Sequence, residues 1–145
     1  LSNFAHLQNV TLTVEGASAV VLGDRTLLEE MTLNLLDNAV KYNVRGGRVQ
    51  VTTAMEGQRP SITVADTGVG IPEEHQSRVF ERFYRVNKGR SKETGGTGLG
   101  LSIVKHGAQL HAAEITLHSK PGEGTTITLR FPPQPDAPTP ENTPA

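Results

Sequence analysis

Apolar and polar positions alternate over residues 10–14: Val10, Leu12 and Val14 fall on one side, Thr11 and Thr13 on the other. That pattern predicts a strand. Residues 19–22, Ala-Val-Val-Leu, predict a second, short strand. From Asp24 to about Tyr42 the period becomes helical, with Asp24 placed as the N-cap. Leu28, Met31, Leu35 and Ala39 line one face of this helix, and Leu33, Leu36 and Val40 are expected to fill its far side. Gly46-Gly47 marks a turn. Residues 49–54 and 61–65 alternate again and predict two strands joined around Glu56-Gly57.

Between Ile71 and Gly100 the core pattern fades. Short helical pieces are expected over residues 73–83, followed by a polar, glycine-rich stretch. A loop this long inside a compact domain is usually a functional lid or a disordered segment. A helix over about 98–110 turns Leu101, Val104 and Ala108 inward, and residues 114–118 and 125–131 predict a closing hairpin around Pro121-Gly-Glu-Gly124. Residues 1–8 read as a linker remnant, 9–131 as the domain, and the proline-rich 132–145 as a disordered tail. Strands and helices mixed in this order predict an α/β two-layer sandwich, a mixed sheet covered on one face by about three helices.

Composition narrows the function classes. The 145 residues are enough for one core, and a net charge of −1 gives no electrostatic reason to expect nucleic acid or an anionic membrane as partner. The chain has no cysteine, which excludes disulfides and thiolate metal sites. No apolar run approaches the roughly 20 residues of a membrane helix. The chain starts at Leu1 and is expected to be a piece of a longer protein.

Four segments carry candidate chemistry. Asn34, Asn38 and Lys41 lie at i, i+4 and i+7, hence on one helix face. An amide oxygen is a hard ligand suited to Mg²⁺, and an ammonium neutralises phosphate. Alone, Asn-x-x-x-Asn is an ordinary solvated helix face. Asp66 ends a strand and precedes Gly68 and Gly70, which permit tight turns and close ligand approach. Alone, Asp-Thr-Gly is an ordinary turn; as a binding group, its carboxylate, an acceptor, matches the donor-only exocyclic amine of adenine, and guanine carries a carbonyl oxygen there instead. Gly95-Gly-Thr-Gly98-Leu-Gly100 opens a helix whose free N–H groups suit an anion. It lacks the Gly-Lys-Ser/Thr of a Walker A loop and follows no strand, and alone it reads equally as a flexible hinge. A basic segment, Arg78, Arg82, Arg85, Lys88, Arg90 and Lys92, is opposed mainly by Glu81 and Glu93 and by itself reads as a solvated charged loop.

The segments Asn34-Leu-Leu-Asp-Asn38-Ala-Val-Lys41-Tyr42, Asp66-Thr-Gly68-Val-Gly70-Ile-Pro72, Phe80-Glu-Arg82-Phe83-Tyr84-Arg85 and Gly95-Gly-Thr-Gly98-Leu-Gly100-Leu101 stand in a fixed order. Together they resemble the N, G1, F and G2 boxes of the catalytic ATP-binding domain of sensor histidine kinases, over residues 10–131. The resemblance implies the Bergerat fold with a mobile ATP lid, and ATP and Mg²⁺ as cofactors. It makes Asn38 the Mg²⁺ ligand, and gives Lys41 and Tyr42 contacts to phosphate and to base or sugar. Asp66 becomes the adenine ligand, in a box with Gly68, Gly70 and Ile71, and Thr126 would share a bridging water with it. Phe80 and Arg85 come from the third box, with Arg85 reaching the triphosphate. Gly96, Thr97, Gly98, Leu99, Gly100 and Leu101 form the lid hinge. The catalytic set is Asn34, Asn38, Lys41 and Arg85.

Related ATPases carry Glu where this chain has Asn34, and an amide takes no proton from water at neutral pH. The resemblance therefore points to transfer rather than hydrolysis. His6, His75, His106, His111 and His118 lack the family's phosphoacceptor context. The acceptor is expected on an upstream dimerisation domain, with a response regulator reached through it. The piece itself is expected to be a cytoplasmic monomer without nucleic acid or direct membrane contact, its parent compatible with an inner-membrane anchor. Two departures stand out: Gly107, where the family usually has a bulkier apolar residue, and His111-Ala112-Ala113 in place of His-Gly-Gly. An anti-sigma-type serine kinase and a nucleotide-gated docking module remain the alternatives.

Overall fold

A computed structural model describes residues 10–16, 21, 23–82 and 100–134. Five strands, β1 (Thr11–Gly16), β2 (Arg48–Glu56), β3 (Arg59–Asp66), β4 (Glu114–Lys120) and β5 (Gly124–Arg130), form one sheet in the order β1-β2-β3-β5-β4. β1 runs parallel to β2 and the other neighbours are antiparallel, so the sheet is mixed, as expected. Helices α1 (Arg25–Lys41), α2 (Glu73–Gln76) and α3 (Gly100–Leu110) complete the described elements. The strand expected over 19–22 lies outside the described residues except for Val21, which packs partly buried against the core.

The period of two sorts the sheet into two faces. Val49, Val51, Val64, Ile127 and Leu129 form the inner face and pack against Met31, Leu35, Ala39 and Val40 of α1 and Leu101, Val104 and Ala108 of α3. The other face is polar: Thr63 and Thr128 hydroxyls meet at 3.1 Å, Arg130 pairs with Glu56 at 3.2 Å, and Arg59 pairs with Glu114. Leu33 corrects one expectation, since it is 55% exposed. It stands two residues beyond Met31, about 200° around the helix, and therefore points away from the sheet.

Beyond the shared core, a close approach and a hydrogen bond link α3 and the turn after it to α1 and its cap. A Cβ on Gly107 would lie 2.3 Å from Met31 Sδ, so the glycine that weakens α3 also lets the helices approach closely. His111 Nε2 accepts the Asp24 N–H at 3.1 Å, while its Nδ1 lies 2.8 Å from Gly107 O. The neutral tautomer protonated on Nδ1 satisfies both bonds. Asp24 itself caps α1 as expected, its Oδ1 accepting the Leu27 N–H at 3.1 Å. At the end of α3, Ala113 N–H bonds Ala108 O at 2.8 Å and Ala112 N–H bonds Gln109 O at 3.2 Å. This is a Schellman turn, and it places Ala112 at φ 55°, in the left-handed position where glycine is usual.

Candidate functional site

The C-terminal turns of α1, the end of β3, the loop after it and the β4–β5 turn meet at one end of the sandwich. Asp66 closes β3 and points to the helix side of the sheet, as Val64 does two residues earlier. Its Oδ1 accepts N–H bonds from Gly68 at 2.8 Å and Thr125 at 3.1 Å. Its Oδ2 has no hydrogen-bond partner among the described residues. Burial pushes the carboxyl up to about 6, against the opposing pull of the two N–H bonds. The result is a partly desolvated acceptor with one oxygen committed to the backbone and one available.

The loop after Asp66 is fastened on three sides. Val69 N–H bonds Tyr42 O at 3.1 Å, fixing the loop to the end of α1. A Cβ on Gly68 would lie 2.5 Å from that same carbonyl, so only glycine fits. Gly70, at φ +75°, runs against Lys120 O, which a Cβ would meet at 2.1 Å. Ile71 N–H donates to Ser119 Oγ at 2.7 Å, and Gln76 Nε2 donates to both Ile71 O and Ser119 O at 2.9 and 3.0 Å. Ser119 Oγ also meets Thr125 Oγ1 at 2.8 Å. On the remaining side buried Asn43 donates to Arg48 O at 2.9 Å and accepts from Thr67 Oγ1 at 3.2 Å.

The expected Thr126 partner of Asp66 is corrected by the register. Thr125 stands opposite Asp66, and Thr126 stands opposite Ala65, on the other face of the sheet. The threonine on the site side is Thr125, which sequence reasoning missed by one position. Asn43, Thr67, Ser119 and Gln76 were missed too. Their role lies in bonds to chain segments up to dozens of residues away, and no local pattern encodes that.

On α1 the polar stripe forms as predicted: Asn34, Asn38 and Lys41 are all half-buried, as is Tyr42 at the helix C-cap. Asn34 donates to Glu30 O at 2.8 Å, and its Oδ1 lies 3.0 Å from where a Gly100 Cβ would be. The start of α3 therefore abuts the stripe. The Asn38 amide has no partner among the described residues. Lys41 Nζ lies 2.8 Å from Asp37 Oδ2. Phe80 and Ile71 pack partly buried against the core, and Leu101 is buried in it. Arg85, Gly96, Thr97, Gly98 and Leu99 lie outside the described residues, as does most of the expected lid.

No cluster of three or more His, Cys, Asp or Glu side chains suited to a metal occurs among the described residues. A cation here would take protein oxygen from an amide such as Asn38 and the rest from water and phosphate, the donor set that Mg²⁺ favours. An apolar cavity of about 260 Å³ lies at the opposite end of the sandwich, lined by Leu28, Met31, Ile62, Leu129 and Phe131 among others, away from this chemistry.

The family described as histidine kinase-, DNA gyrase B-, and HSP90-like ATPase matches residues 23–135. The sensor-like histidine kinase SenX3 of Mycolicibacterium smegmatis is 50% identical over 116 residues, covering 80% of this chain and 30% of that protein. The solved structure of the mycobacterial sensor histidine kinase MprB superposes with a TM-score of 0.77 at 29% identity, covering 92% of this chain and 91% of that one. Full-length ShkA in complex with AMPPNP gives a TM-score of 0.74 at 30% identity, covering 90% of this chain and 27% of that one. The chain spans less than a third of the length of full-length relatives such as SenX3. No helix among the described residues is long and apolar enough to cross a membrane.

Proposed function

Because the chain belongs to the histidine kinase-, DNA gyrase B-, and HSP90-like ATPase family, we propose that it holds Mg-ATP and presents the γ-phosphoryl group to a histidine on a separate dimerisation domain. The observation that carries this reading is Asp66, a partly buried carboxylate with one oxygen fixed by two backbone N–H groups and the other available. A donor-only edge such as the adenine amine complements that oxygen, and the carbonyl of guanine does not.

The remaining groups are assigned around it. Tyr42 and the Gly68–Ile71 backbone border the base, and Thr125 closes the hairpin side. Asn38, whose amide has no partner among the described residues, offers an oxygen for Mg²⁺, which when bound neutralises charge on the phosphates. Lys41 offers an ammonium on the same face, and the start of α3 beside Asn34 offers helix N-terminal N–H groups to an anion. Arg85 and residues 96–99 are proposed to complete the phosphate site from the lid. Such a site accelerates transfer by positioning and charge neutralisation. Asn34 provides no general base for water, which favours transfer to an incoming nucleophile and sets this reading apart from an ATP hydrolase. A response regulator would receive the phosphoryl group through the dimerisation domain.

The test is to incubate the chain with γ-labelled ATP and Mg²⁺, alone and with the parent's upstream domain added. Acid-labile, base-stable label on the added domain, and none on this chain alone, is the expected result. Label on this chain alone, or no transfer to the added domain by protein that binds ATP, overturns it.

A further inference from the structure

The stripe that faces the proposed triphosphate site contains a carboxylate that no phosphate-binding role explains. Asp37 sits one turn before Lys41 on α1, and its Oδ2 lies 2.8 Å from Lys41 Nζ. It has no other partner among the described residues. The lysine side chain is 21% exposed and the aspartate 41%, so the pair sits at the rim of the site rather than in open solvent. An anion placed beside a site for a polyanion weakens binding by direct repulsion, and it also holds the one cation that α1 offers to the phosphates. Among the described residues the Asn38 amide has no partner, the Asn34 amide is turned back onto Glu30 O, and Lys41 is the charge on this face that Asp37 restrains.

We infer that Asp37 is a positioning residue that sets how tightly phosphate-bearing nucleotides bind, by competing with them for Lys41. Phosphate binding must draw the ammonium away from Asp37 or share it. The carboxylate recaptures it when nucleotide leaves, which favours release. The inference rests on the ATP reading above and concerns the phosphate half of the site, not the base half.

The test is calorimetric titration of Mg-ATP, Mg-ADP and adenosine into the wild-type chain, Asp37→Asn, Lys41→Met and the double variant. Asp37→Asn keeps the side-chain shape and removes the charge. It is expected to tighten ATP and ADP roughly threefold to tenfold and to leave adenosine unchanged. The gain is expected to shrink by half or more in the Lys41→Met background, since the effect acts through that lysine. Weaker ATP binding in Asp37→Asn, an equal change for adenosine, or a full gain without Lys41 overturns the inference. Failure of the wild-type chain to bind ATP would instead overturn the ATP reading, and wild-type binding with no response to Asp37→Asn would overturn the inference alone.

Discussion

Replacing Asp66 by Asn separates the two demands placed on that side chain. Burial raises the Asp66 pKa from 3.8 to about 6, which corresponds to about 3 kcal/mol held against the ionised carboxylate at neutral pH. Asparagine has the same shape and no charge. Its oxygen can keep the Gly68 and Thr125 N–H bonds, which turns its NH₂ toward the position of the free carboxylate oxygen. The nucleotide-free variant is therefore expected to be more stable at pH 7.5, by up to about 3 kcal/mol, or roughly 5–15 °C in Tm. Nucleotide binding moves the other way. The acceptor meeting the adenine amine becomes a donor, and loss of a charged hydrogen bond worth about 1.5–3 kcal/mol weakens ATP roughly 10-fold to 150-fold. The ratio of GTP to ATP affinity rises, because the amide now complements a carbonyl. Differential scanning calorimetry of the free chain and isothermal titration with both nucleotides check the two halves. A variant that is less stable and still binds ATP like wild type would refute the assignment of the free oxygen to adenine.

The same group sets a pH dependence. Since its folded pKa is raised, the stability it contributes is full below about pH 4 and is lost as pH rises through about 6. Nucleotide-free wild type should therefore be more stable near pH 5 than near pH 7.5, and Asp66→Asn should lose that difference. ATP, which needs the ionised form, should weaken up to about tenfold per unit below pH 6. Ala112→Gly should stabilise by about 0.5–1 kcal/mol in urea unfolding, because relief of about 1–2 kcal/mol of left-handed strain exceeds the entropy glycine adds to the unfolded chain. Gly70→Ala should cost at least about 1–3 kcal/mol and weaken ATP, since φ is +75° and the new Cβ would meet Lys120 O; unchanged stability would show that the loop is not held there. Thr125→Val should cost about 1 kcal/mol and weaken ATP, because Ser119 loses a partner beside Asp66, while Thr126→Val on the opposite face should leave ATP affinity within about twofold.

Much of the architecture was legible because it is written in local periods. The α1 cap and the inward faces of both long helices follow from residues close in sequence. The Asn34, Asn38, Lys41 stripe was readable for the same reason, since 3.6 residues per turn fixes which side chains share a face. Asp66 was readable from its place at a strand end before two glycines.

Tertiary structure decided what depends on register and on approach between distant segments. Thr125 and Thr126 differ by one position, and pairing of β5 with β3 alone chooses which of them stands beside Asp66. Gly107 looks like a weak helix residue until Met31 is seen against it, and His111 looks like a surface residue until Asp24 arrives at its Nε2. Leu33 is as apolar as Leu35, yet only the packing of α1 on the sheet leaves one exposed and buries the other. Periodicity and turn residues act within a few positions along the chain, which is why the described elements and the candidate chemistry are readable from local patterns. The site's geometry needed the fold, because hydrogen bonds such as Thr125 to Asp66 join groups whose separation along the chain carries no trace of their contact.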